Sequence, residues 1–287
     1  MSFYIFAWIS LFAWSLAEVF EKLTIKHLIK NPWLFSFLAN VISLIFFTII
    51  LGFKGFGSVS AWSDILYASI FWTLGNIFFF LALDYVDVSV LSPSFNLKTA
   101  FALLLGILFL GETVTGQQWV LIAVIFISSI FVCYDENLKF RTFLSKPMMF
   151  VFFLMSVLAI SNLFMNRALQ HNDFWLVTFW IQFFTTLMLL PTIALFKNEI
   201  RTVGLKQIGV VMLITIITTL AMLTQVKAFT SEIGIPNVII SIPLSMILAM
   251  VISFFAPQLL EKNSYKIYAL RFIAAVVMFA AAIKLSL

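Results

Sequence analysis

The sequence predicts an all-α membrane protein, with ten transmembrane helices arranged as two inverted five-helix repeats. Three observations predict it. Of the 287 residues, 63% are hydrophobic and only 10% charged. A soluble domain averages roughly 45–50% apolar and about 25% charged, so lipid must take up the excess apolar surface. The apolar residues fall into ten runs parted by short polar gaps. A shift of 149 residues lays the first five runs over the last five.

The runs are 3–21, 33–53, 65–86, 88–110, 117–134, 148–169, 174–196, 207–229, 235–257 and 265–285. A hydrocarbon core of roughly 30 Å takes about 20 helical residues, and each run approaches that length. The first run has no basic segment before it and leads into Glu18 and Glu21 rather than a small-residue cleavage site. It therefore reads as a retained helix, not a removed signal peptide. Only Asp84, Tyr85, Val86 and Asp87 divide the third run from the fourth, which demands a tight hairpin. Pro93 in the fourth run, and Pro236 and Pro243 in the ninth, predict breaks or kinks there: packing around a bend, or a hinge. Trp33, Trp62, Trp119 and Trp175 lie near run ends, as aromatic-belt anchors do.

Net charge is +5, but most of the basic residues sit in or beside the gaps and form no stripe for nucleic acid. The gaps after odd-numbered runs hold Lys22, Lys26, Lys30, Lys139, Arg141, Lys146, Lys197, Arg201, Lys206, Lys262, Lys266 and Arg271, twelve in all. The opposite side holds four: Lys54, Arg167, Lys227 and Lys284. The positive-inside rule then puts the odd gaps in the cytoplasm and both termini outside. Cys133 is the sole cysteine, and His27 and His171 are isolated, so neither a disulfide nor a metal cluster is expected, and no cofactor.

The offset of 149 takes Asn76 to Gln225, each a lone carboxamide in an apolar run, and Glu112 to Glu261. It also takes Glu18 to Arg167 and Lys22 to His171. Five spans is an odd number, so the second unit must enter the membrane in the opposite sense. Residues 1–146 and 147–287 are the expected units, with a site between them near the midplane. The alternative is ten similar apolar helices that align at many offsets.

Lys98 is the sharpest polar signal. It lies about ten residues into its run, hence roughly 15 Å deep. A lysine there costs at least about 2.5–3.5 kcal/mol to insert. Either it docks a carboxylate or phosphate in a watery cavity, or it forms an internal ion pair, for example with Glu18, or desolvation holds it neutral. Glu18 can bind a substrate ammonium or carry a coupling proton; alternatively it pairs with Lys22 four residues on. Glu21 reads as solvated, and Arg167 as an interface anchor. Asn76, Gln225 and Asn162 either bind substrate or join helices. Trp72, one turn before Asn76, can wall the same cavity. Asn96, about 200° from Lys98 around the helix, is expected to face away.

Ala82-Leu-Asp-Tyr-Val-Asp-Val-Ser-Val-Leu-Ser-Pro-Ser-Phe-Asn-Leu-Lys-Thr-Ala, running on to Phe109-Leu-Gly-Glu112 and Thr115 to Trp119, resembles the drug/metabolite transporter superfamily in its EamA-type branch. Trp14 with Lys22 is similar to that family's Trp-Gly opening, with Ser15 in place of the glycine. The layout covers nearly the whole chain, whereas the motif covers the third to fifth helices. The second half carries Pro257-Gln-Leu-Leu-Glu261 where Leu-Gly-Glu is the pattern. Asn96-Leu97-Lys98 is also similar to the Leu-Lys pattern of nucleotide-sugar transporters, where the lysine faces the cavity and holds an anion.

The resemblance implies a secondary transporter, in a plasma (inner) membrane, as monomer or homodimer. Its substrate would be a small polar metabolite such as an amino acid, phosphorylated metabolite or nucleotide sugar. Relatives usually keep both termini inside, against the charge count here. Lipid or lipid-linked-sugar flipping is the alternative on the same scaffold. An intramembrane enzyme is disfavoured, because no nucleophile–base or metal set converges.

Overall fold

The computed structural model describes residues 3–286 except 56, 99, 102–103, 106–114, 133–145, 230–238, 241, 257 and 261–263. Glu112, Cys133, Lys139, Arg141, Pro236, Pro257, Glu261 and Lys262 therefore lie outside the described residues.

Ten α-helices are bounded among the described residues, one for each apolar run. They are α1 (Phe3–His27), α2 (Pro32–Lys54), α3 (Trp62–Tyr85), α4 (Val88–Ser94), α5 (Gly116–Val132), α6 (Lys146–Leu169), α7 (Phe174–Leu189), α8 (Leu205–Phe229), α9 (Leu244–Phe255) and α10 (Tyr265–Ser286). Lipid offers no partner for backbone N–H and C=O groups, so a spanning segment must satisfy them within its own helix. Helices α1, α2, α3, α6, α7 with its extension to Leu195, and α8 are long and apolar enough to cross a membrane.

Two boundaries differ from the sequence expectation, and an expected break is present. Helix α1 continues to His27, six residues past the apolar run, with Lys22, Thr24 and Ile25 buried rather than solvated. Helix α7 stops at Leu189 and gives way to 3₁₀ turns from Leu190 to Leu195. Pro191 explains this: it has no N–H to donate, and its ring clashes with the preceding turn. Helix α4 ends at Ser94 with Pro93 inside it, turns at Phe95, and residues 96–98 are helical again. Pro243 likewise stands immediately before α9. The expected breaks near Pro93 and Pro243 are thus present, while Pro236 lies outside the described residues.

The most extensive packing joins helices from different halves: α3 with α6, α1 with α8, α5 with α10, α2 with α7, and α3 with α7. Gly75 serves the first of these, since a Cβ there would stand 2.8 Å from Leu158 Cδ2. Across the same seam Ser161 Oγ donates to the Ala68 carbonyl at 3.0 Å.

Both bundle ends are tied across the halves. At one end Lys26 Nζ donates to the Leu260 carbonyl at 2.5 Å, Gln207 Nε2 to the Leu28 carbonyl at 3.1 Å, and Asn31 Nδ2 to Glu199 Oε1 at 2.9 Å. At the other, Arg167 Nε lies 3.3 Å from Asp64 Oδ1, and Asn172 Nδ2 donates to the Ser60 carbonyl at 2.7 Å.

The 84–87 hairpin is as tight as expected, and two buried cations hold it. Lys22 Nζ, from α1, donates to the carbonyls of Leu83 and Val86, the end of α3 where a helix favours positive charge. Arg271, from α10, donates to Ser89 Oγ at 2.5 Å and lies 3.5 Å from Asp87 Oδ2.

Candidate functional site

A cavity of about 200 Å³, with polar groups set in a mostly apolar wall, lies among the helices, and all six residues singled out from sequence line it: Glu18, Trp72, Asn76, Lys98, Asn162 and Gln225. Helical periodicity explains how. Each surrounding helix contributes one stripe at spacings of three to four residues. Helix α1 supplies Trp14, Ser15, Glu18 and Glu21; α2 supplies Asn40, Ser43 and Phe47. Helix α3 supplies Trp72, Gly75, Asn76 and Phe79; α6 supplies Leu154, Leu158 and Asn162; α8 supplies Thr218, Met222 and Gln225. The two broken segments complete the wall with Ser92, Phe95 and Lys98 on one side, and Ile240, Ile242 and Ser245 on the other.

Among the described residues Lys98 Nζ makes no hydrogen bond and no ion pair. The internal pair with Glu18 is absent among them: Glu18 Oε2 instead accepts from Ser245 Oγ at 2.5 Å, a bond from α9 to α1. Lys22 spends its ammonium on the hairpin carbonyls described above. Asn96 is fully buried, donates to the Pro93 carbonyl at 3.0 Å, and stays off the cavity as its helical phase predicts.

Glu21 corrects the sequence expectation. It is 5% exposed and lines the cavity, because α1 carries on past it by more than a turn. Arg167 stands away from the cavity in its ion pair with Asp64.

Asn40 and Gln182 are not among the residues expected from sequence, although each is a lone carboxamide in an apolar run, the signal that marks Asn76. Both are buried, and they carry a chain of hydrogen bonds across three helices. Gln182 Nε2 donates to Asn40 Oδ1 at 2.9 Å, Asn40 Nδ2 to Asn76 Oδ1 at 3.3 Å, and Asn76 Nδ2 back to the Trp72 carbonyl at 2.9 Å. In a bilayer such interhelical bonds contribute on average about 0.6 kcal/mol each. They hold α7, α2 and α3 in register around the cavity. Trp14 also has a partner on the wall: its Nε1 donates to Gln225 Oε1 at 2.7 Å, joining α1 to α8.

Comparison with known proteins places this architecture. Residues 1–134 match the model of the EamA-like transporter family. None of the curated proteins compared with the chain matches it. A solved chain described as "Crystal structure of protein" aligns over 98% of this chain and 96% of its own, at 14% identity and a TM-score of 0.64. At that identity the likeness carries the fold alone, but it carries it through both halves. The chain is therefore an integral membrane protein whose residues 1–134, just under half of its length, are similar to the EamA-like transporter family, a family of membrane transporters of the drug/metabolite kind.

Proposed function

We propose that this protein is a secondary-active transporter of a small polar metabolite with an anionic group, an amino acid or a phosphorylated metabolite, moved by alternating access. The observation that carries the reading is Lys98, a lysine on the cavity wall with no hydrogen bond or ion pair from its side chain among the described residues. An ammonium held in such a place is stabilised by an incoming carboxylate or phosphate. The volume, about 200 Å³, suits a small metabolite better than a nucleotide sugar, since sites for drug-sized ligands run to roughly 300–1,000 Å³. Glu18 is the candidate for proton coupling, being a buried carboxylate on the same cavity. Asn162, together with Gln225, offers hydrogen bonds to the substrate, and Trp72 walls it.

The packing supports an inverted repeat. Exchanging each helix with the one five places on turns α3–α6 into α8–α1 and α3–α7 into α8–α2, all of them observed pairings. It leaves α2–α7, α4–α9 and α5–α10 unchanged. The breaks before Phe95 and at Pro243 also correspond, and broken helices in matching positions mark the site in such folds. The strongest pairings each take one helix from either half, so the bodies that rock are mixed: α1 with α8, and α3 with α6.

The orientation we favour keeps both termini outside. Lys22 and Arg271 are buried and bonded to the hairpin, so they are not topology signals. Removing them leaves ten basic residues on the odd-gap side against four. Labelling Lys54→Cys and Lys197→Cys with an impermeant reagent in intact cells should modify only the first. Modification of the second alone reverses the orientation.

Ligand-induced thermal stabilisation tests the central claim, because a ligand that binds the native state raises apparent stability. A panel of amino acids, sugar phosphates and nucleotide sugars is applied to the wild type and to Lys98→Gln. Stabilisation by one anionic class that disappears in folded Lys98→Gln is the expected result. An equal response in both proteins rejects Lys98 as the docking charge.

A further inference from the structure

We infer that Gln225 faces the substrate as a hydrogen-bond donor, with Trp14 as the positioning residue that fixes this polarity, so that the pair selects for the substrate's anionic group. The inference rests on the reading of the cavity as a binding site for a small anionic or zwitterionic metabolite, and adds which residue discriminates.

Donors and acceptors fix the polarity of the pair. An indole N–H donates and cannot accept. The Gln225 atom 2.7 Å from Trp14 Nε1 must therefore be the amide oxygen, which settles the choice between the two ends of the carboxamide. The other end is the NH₂ group. Among the described residues it has no acceptor, and Gln225 lines the cavity. Two N–H groups are thus left for whatever the cavity holds, and an oxygen-rich anion is the partner they fit. Asn76, the residue 149 positions earlier, stands differently: its oxygen accepts from Asn40 and its nitrogen already donates to the Trp72 carbonyl. The two carboxamides occupy matching places in the sequence, but one mainly joins helices and the other has its donors open.

Because Trp14 donates across from α1 to α8, it does more than pack. With phenylalanine at position 14 the carboxamide is free to turn, and either end can meet the ligand. Glutamate at 225 has nearly the shape of glutamine and keeps an oxygen for the Trp14 N–H, but it meets the ligand with an acceptor and a negative charge. A site that hydrogen-bonds a substrate group rejects an analogue it cannot pair with far more strongly than one that only packs against it.

The test uses two matched ligand pairs, L-threonine with L-threoninamide and glycerol 3-phosphate with glycerol. Each pair differs in the anionic group. Binding is measured by thermal stabilisation of the purified full-length protein in wild type, Gln225→Glu, Gln225→Met, Trp14→Phe and Lys98→Gln. The wild type should prefer the anionic member of at least one pair. Gln225→Glu should lower that preference by at least about tenfold and, for threonine, reverse it toward the amide. Trp14→Phe should narrow the preference without reversing it. A merely structural pair would lower the melting temperature and leave the preference alone. Gln225→Met, uncharged and lacking donors, should lose the preference too, and replaces the glutamate variant if that variant does not fold. If Lys98→Gln loses the anion response while both Gln225 variants keep the wild-type preference, the inference fails and the substrate reading stands. If the wild type prefers neither anion, or Lys98→Gln responds as the wild type does, the substrate reading fails and takes the inference with it.

Discussion

Residues 1–146 and residues 147–287 bring different chemistry to the cavity. Among the described residues the first stretch supplies the charged groups on the wall, Glu18, Glu21 and Lys98. The second contributes neutral polar groups there, among them Asn162, Gln182, Thr218, Gln225 and Ser245. At the offset of 149, Glu18 corresponds to Arg167, Glu21 to Gln170 and Lys98 to Ile247. Arg167 does carry a charge, but it spends it outside the cavity on Asp64, with its side chain 55% exposed. Backbone packing tolerates wide change in side chains as long as helices still meet at small residues and matched volumes. A binding site does not, since one buried charge decides what enters. The charged groups on the described wall thus come from one half of the sequence, although helices of both halves build it.

The largest expected effect breaks this comparison at its charged side. In proteoliposomes, Lys98→Gln should reduce transport of the anionic substrate by about 10- to 100-fold, because a hydrogen bond to a charged group is worth about 1.5–3 kcal/mol. Glu18→Gln should abolish the dependence of uptake on an imposed proton gradient while counterflow exchange survives; uptake that still follows the gradient removes Glu18 from coupling. Next comes the packing that both halves share. Gly75→Val should destabilise the α3–α6 seam by about 1–3 kcal/mol, read as a lower melting temperature, since Leu158 already fills the space its side chain needs. Gln182→Leu removes the bonds that tie α7 to Asn40 and should cost about 1–2 kcal/mol in the same measurement. The smallest effect belongs to the second half's displaced charge. Arg167→Gln should cost about 1 kcal/mol in stability and leave transport intact, because the Arg167 side of the ion pair is 55% exposed, while Asp64, with its side chain only 11% exposed, loses a charged partner. A transport defect in Arg167→Gln as deep as that of Glu18→Gln would undo the contrast between the halves.

Much of the site was legible in the sequence because a polar group inside an apolar run stands out one residue at a time. Lys98, Glu18, Asn76, Asn162, Gln225 and Trp72 all reach one cavity. Asn40 and Gln182 carry the same local signal, and only their mutual bonds show their weight. Glu21 misleads for a definite reason: three residues past Glu18 and close to lysines, it reads as the wet end of a helix, whereas α1 runs on to His27 with Lys22, Thr24 and Ile25 buried.

By itself the sequence determined the membrane helices, their number and the breaks near Pro93 and Pro243. Lipid leaves each span to satisfy its own backbone, so the evidence for a span is local. The tertiary structure decided which faces meet. These helices are apolar on nearly every side, so periodicity gives no polar stripe by which to phase them. The bond from Trp14 to Gln225 joins residues 211 positions apart, and it exists only because α1 packs on α8. Which end of that carboxamide faces the cavity is a consequence of this packing and of the indole N–H, which can only donate.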